Sequence, residues 1–140
     1  MHSAPPTEAT FPPPRELLSA LWLFAMLNYL YADVLSLMDP ILLPQWLAGN
    51  VEGIHVTRPF LLLSAAMMEV PIAMTVLARI LPQAINRWSN IGAGLFKTAV
   101  VGASLAVGTP NMHYAFFASL EIACTVLIVF IAWRWRAPLG

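Results

Sequence analysis

Asp33, Glu69, Lys97 and Glu121 each stand inside an apolar run of the chain. A charge held at the centre of such a run costs roughly 2.5–3.5 kcal/mol on insertion scales, so each needs a partner or a use. Acids and a lysine in apolar surroundings can bind protons or cations, or can tie helices together. Three acids against one lysine favour proton or cation binding over anion binding. Tyr29 and Asp33, four apart, share a helix face and extend this set.

Depth orders these residues. Glu69 lies 11 residues after Arg58 and Lys97 lies 10 after Arg87. At 1.5 Å per residue both sit roughly 15 Å from their flanking arginine, near the middle of a bilayer core. Glu121 is shallower and Asp33 shallower still. Matching depth on neighbouring antiparallel spans predicts that Glu69 and Lys97 pair. That pair would serve as a binding or transport centre, with Glu121 and Asp33 on its outer approach. The competing reading is interhelical glue that fixes register.

The elements that must carry these residues are transmembrane helices. The chain has 140 residues, 59% hydrophobic and 10% charged. Soluble domains carry about 25% charged residues. The apolar excess falls into four blocks, near 17–38, 58–81, 90–108 and 112–133, each long enough to cross a bilayer. The expected fold is all-α: a transmembrane four-helix bundle of up-down topology over residues 16–136. Residues 1–15, with five prolines, read as a disordered tail. The tail lacks a basic n-region and a cleavage site, so the first span is expected to stay as an anchor.

Asp39-Pro40 stops the first span. Residues 39–57 form the longest loop, apolar in its first half and broken by Gly49 and Gly53. Thr57 or Arg58 caps the second span, and Pro59 suits its first turn. Pro71 removes a backbone donor in mid-span and frees a carbonyl one turn back, near Met67. Freed groups at that depth must be met by neighbouring helices or water. Leu62, Ala65, Ala66, Glu69, Ala73 and Val76 fall on one face, which is expected to turn inward. Residues 82–89 read as a short polar turn that merges into the third span. There Gly94, Thr98, Gly102 and Ala106 form a small-residue stripe for close helix packing, inside the bundle or across a homodimer.

Arg15, Arg79, Arg87, Arg134 and Arg136 fall on one side of these spans, with Trp22, Trp88, Trp133 and Trp135. The positive-inside rule puts that side, and both termini, in the cytoplasm. The immediate partner is the lipid bilayer, alone or within a homodimer or larger membrane complex. Zero net charge gives no reason to expect nucleic acid. His55 and His113 share the outer side with Asp39 and Glu52 but lack metal-ligand spacing, so no metal and no cofactor are expected. Cys124 has no second cysteine, and no phosphate loop, GxSxG or HExxH occurs, so no enzyme is expected. Lipid or quinone chemistry would be the enzymatic alternative.

Three stretches carry a resemblance: LSALWLFAMLNYLYADVLSLMDP (18–40), INRWSNIGAG (85–94) and YAFFASLEIACTVLIVFIAWRW (114–135). Together they resemble a family of small bacterial four-helix integral membrane proteins of unknown function. The resemblance implies a four-span, single-domain protein of the bacterial inner membrane with both termini inside. It brings no catalytic or binding residues.

Overall fold

Prolines and short caps set where the helices begin. A computed structural model describes residues 11–107 and 110–136; most of the expected proline-rich tail, residues 1–10, lies outside them. Helix α1, Pro14–Met38, opens with proline in its first turn, where a missing N–H costs nothing. Asp39 ends it in extended backbone, and its carboxylate accepts from the Ile41 N–H at 2.8 Å. A short helix α2, Leu42–Leu47, and a two-residue hairpin of β1, Asn50–Val51, with β2, Ile54–His55, fill the following loop. Asn50 pairs with His55 and Val51 with Ile54, so Glu52 and Gly53 make the turn, both with positive φ. That conformation favours glycine and is strained for glutamate. The Glu52 N–H is tied to Gln45 Oε1 at 2.8 Å, which holds the turn against α2.

Helix α3, Arg58–Ile80, is capped by Thr57, whose hydroxyl accepts from the Phe60 N–H at 3.3 Å. Helix α4, Gln83–Leu105, starts straight after Leu81 and Pro82. The stretch 83–89, which reads as a turn, is therefore its first two turns. Helix α5, Met112–Arg134, completes the chain. Apart from the hairpin the described fold is all-helical. Helices α1, α3 and α5 are long and apolar enough to cross a membrane. Helix α4 is as long as α3 and α5 but carries more polar residues.

Cross-helix contacts fix direction and register. Asn86 Nδ2 donates to Ala78 O, and Lys97 Nζ to Met67 O. Each step forward on α4 is thus a step back on α3, so the two are antiparallel. The contacts Thr98–Thr125 and Ser104–Tyr114 make α4 and α5 antiparallel. Arg15–Arg79 with Ser19–Thr75, and Leu21–Cys124 with Ser36–His113, do the same for α1 against α3 and α5. Helices α1 and α4 run parallel with an offset of 68, set by Trp22 on Asn90. Helix α1 packs along α3 and α5, and α5 along α4, while α3 and α4 touch much less.

The core lies toward the end that carries the N-terminus. Leu18, Trp22, Ala25, Met74, Ala78, Cys124 and Ile128 form its buried apolar cluster. Trp22, on the same side as the basic residues, is fully buried. Its indole donates to Asn90 Oδ1 at 2.7 Å, Asn90 Nδ2 donates to Asn86 Oδ1 at 2.6 Å, and Asn86 Nδ2 donates on to Ala78 O. This ladder joins α1, α4 and α3 with each amide nitrogen hydrogen-bonded, as buried polar groups require. Nearby, Arg87 Nε donates to Ala132 O at 3.2 Å, satisfying a carbonyl in the last turn of α5.

Candidate functional site

Lys97 is the most buried charged side chain, 2% exposed, with Glu121 next at 4%. The Lys97 ammonium donates to Met67 O at 3.4 Å and stands 3.9 Å from the centroid of the Tyr29 ring. An aromatic face at that distance attracts a cation. The Met67 carbonyl is the one that Pro71, four residues on, leaves without a helical N–H. Lys97 therefore meets the backbone group that the proline frees. Glu121 is buried on α5, and Asp33 stands one helical turn beyond Tyr29 on α1. Asp33 is exposed on the isolated chain, and Tyr29 is half-buried with no partner for its buried hydroxyl among the described residues.

Glu69 is not part of this group. It is exposed, with Leu62, Ala65, Ala66 and Val76 along the same face, so the expected Glu69–Lys97 pair is corrected. The reason is helix phase. The buried positions of α3 are Pro71, Met74 and Ala78, with Met67 half-buried on the same line. Glu69 lies two residues from Pro71, about 200° around the helix, and faces away. The small-residue stripe of α4 divides likewise. A Cβ on Gly94 would stand 2.7 Å from Val129 Cγ2 and 3.2 Å from Thr125 O, so that glycine lets α5 approach. Thr98 joins its hydroxyl to that of Thr125 at 2.7 Å. Gly102 meets open space and Ala106 is exposed, so neither packs against α5.

These contacts belong to layers that repeat every seven residues, the spacing that keeps one face of each helix toward its neighbours. Trp22 and Asn90 share one layer with buried Met74 and Ile128. Seven residues on, Tyr29 and Lys97 share the next with Met67 and Glu121. Seven more bring Ser36 and Ser104, with Phe60 on α3 and Tyr114 on α5. These last four line a cavity of about 360 Å³ beneath α2 and the hairpin. Tyr114 donates to Ser104 at 2.6 Å across its floor. The cavity floor thus lies two turns, about 10.5 Å, above the Lys97 layer on each helix. Between them stand buried Ala32, Val101 and Ala118.

Of the residues singled out from sequence, the structure sets Lys97 against the Tyr29 ring, buries Glu121 at the same heptad level on α5, and leaves Asp33 and Glu69 exposed. Asn86, Asn90 and Trp46 escaped that reading. The two asparagines did carry a signal, since Asn90 and Lys97 are seven apart and occupy one face.

The family match follows from this chain at nearly full length. Residues 13–139 match the model of a family of unknown function, DUF6326, and the chain belongs to that family. No curated protein matches it, and neither does any solved structure.

Proposed function

We propose that this protein is a small carrier or channel for protons, cations or a small solute, built as a transmembrane four-helix bundle in the plasma membrane. Its working centre is Lys97 and Glu121, with Tyr29 and Asp33 beside them, in place of the Glu69–Lys97 pair read from sequence. One observation carries the reading: the seven-residue register sets a cavity above a layer that buries Lys97 and Glu121, with buried Ala32, Val101 and Ala118 between. A structural pair needs no cavity stacked over it. The three apolar helices support a membrane setting, and α4, as long as α3 and α5 and held to α1 and α3 by buried hydrogen bonds, supports a fourth span. Arg15, Arg79, Arg87 and Arg134 gather at the end where α1 begins and α5 ends, which makes that end cytoplasmic. The cavity then opens on the outer side.

In this mechanism Glu121 takes up a proton or cation that reaches it from the cavity past Ala32, Val101 and Ala118. Neutralising Glu121 removes the one other buried charge in the Lys97 layer among the described residues. Lys97 then rests on the Met67 carbonyl and the Tyr29 ring, contacts that need no counter-charge. The test is proton and cation flux in proteoliposomes. Flux above that of empty vesicles, lost in Glu121→Gln, is expected. Absence of flux under any imposed gradient sinks the reading.

A second reading is favoured by the Lys97–Met67 contact itself: an accessory subunit of a membrane complex whose buried charges hold the helices in register. Co-purification of a stoichiometric neighbour, with no flux from the isolated protein, supports it.

A further inference from the structure

We propose that the outward valley between α4 and α5 holds one chain of an anionic phospholipid, with the lipid's phosphate on Arg87 and Arg134. The inference needs the membrane setting proposed above and no transport. The valley, about 300 Å³, is lined by Leu95 and Thr98 of α4 and by Val126, Val129, Phe130 and Trp133 of α5. On α5 the spacing of these four, three, four and seven residues from Val126, puts them on one face. From 126 to 133 the valley runs about 10.5 Å, from beside the Thr98–Thr125 contact to the last turn of α5. Thr98 spends its hydroxyl on Gly94 O and Thr125, so the walls ask for an apolar occupant.

The charges stand on the aromatic walls. The Arg134 guanidinium lies 5.1 Å from the centroid of the Phe130 ring, and that of Arg87 lies 5.8 Å from Trp133 and 5.2 Å from Trp88. Arg87 is fixed further by donating from Nε to Ala132 O and from Nη2 to Trp133 O. A guanidinium has five N–H donors, so both hydrogens on Arg87 Nη1 remain uncommitted. Arg134 is exposed and follows Trp133 directly, which brings both cations to one end of the valley. Glu16, the one acid at that end among the described residues, stands in the first turn of α1. An apolar valley that ends on two such cations complements a long apolar chain that ends in an anion. A free anion would leave the valley unfilled. The valley by itself confers little preference in a bilayer, because lipid tails are as apolar as the side chains around them. The headgroup decides, at about five-fold for each arginine near an anionic lipid.

The experiment uses the full chain in phosphatidylcholine vesicles and reads tryptophan fluorescence against brominated lipid, which quenches on contact. A Trp46→Phe background leaves only the tryptophans of the Arg87 end. The probes are phosphatidylglycerol and phosphatidylcholine with the same brominated chains. Brominated phosphatidylglycerol is expected to quench saturably, with a relative affinity at least about ten-fold above that of brominated phosphatidylcholine. Arg134→Gln is expected to lower that preference about five-fold. Arg79→Gln, the same loss of charge at the same end but on α3, is expected to leave it within about two-fold. Val126→Phe, which fills the valley and keeps both arginines, is expected to abolish the saturable quenching. Equal quenching by the two lipids overturns the proposal. So does a preference that survives Arg134→Gln, or one that falls as far in Arg79→Gln. Saturable quenching that persists in Val126→Phe overturns it as well.

Discussion

The Lys97 ammonium lies 3.4 Å from the Met67 carbonyl oxygen, the backbone acceptor that Pro71 deprives of its helical donor. A proline kink and a buried cation, each costly alone, are thereby partly reconciled. Removing Lys97 leaves a buried carbonyl unmet, a cost of about 1–3 kcal/mol. Restoring the N–H at position 71 removes that part of the cost. Lys97→Met is therefore expected to destabilise the wild-type background by at least about 1 kcal/mol more than it destabilises Pro71→Ala. Reversible unfolding in mixed micelles, run as a double-mutant cycle, measures the coupling. Equal costs in the two backgrounds would show that the contact contributes nothing.

Gly94 and Gly102 belong to one stripe in sequence and to different environments in space. Gly94→Ala must push a methyl against Val129 and the Thr125 carbonyl, with an expected cost of about 1–3 kcal/mol. Gly102→Ala meets nothing within 4 Å and is expected to be neutral or to stabilise by up to about 1 kcal/mol. Thermal unfolding of the two variants side by side checks the contrast. A similar loss in both would place α5 differently along α4.

The Trp22–Asn90–Asn86 ladder is a buried chain in which each member depends on the next. Trp22→Phe removes the donor that meets Asn90 Oδ1 and is expected to cost about 2 kcal/mol, of which the orphaned amide oxygen is the larger part. Adding Asn90→Leu should then cost less than it does alone. Additive losses would mean that the ladder is not coupled.

Glu69 faces out from α3 and Glu121 faces in. An apolar carbodiimide dissolved in the lipid is expected to modify Glu69 first, with Glu121 protected, as peptide mapping would reveal. Proteoliposome flux should survive Glu69→Gln within about two-fold. Preferential modification of Glu121 would contradict the assigned helix phase.

How far the sequence leads depends on which residues are compared. Helices α1, α3 and α5 are legible because their length and apolar content, enough to cross a membrane, stand out in the sequence. The Thr57 cap and the carbonyl freed by Pro71 are legible because both are local backbone chemistry. The phase of α3 is not. Its outward line of Leu62, Ala65 and Val76 is as apolar as its inward line of Met67, Met74 and Ala78, so hydrophobicity does not say which side is buried. The polar residue on α3 then looked like the one to hide, and it is the one left out. The stretch 83–89 looks like a loop because its polar side chains find their partners on other helices, as Asn86 does on Ala78. The Tyr29–Lys97 contact needs the 68-residue offset between α1 and α4, which only the folded register supplies.

In the proposed mechanism the buried layer of Lys97 and Glu121 is reached from the cavity past Ala32, Val101 and Ala118. Cysteine accessibility tests it most directly. In a Cys124→Ser background, Ala118→Cys is placed in the separating layer and Ile128→Cys in the packed core below it. A charged, membrane-impermeant thiol reagent added on the cavity side is expected to modify position 118 and block flux, and to leave position 128 untouched in the folded protein. Position 118 remaining unmodified while flux continues, or 118 and 128 reacting alike, would contradict the account.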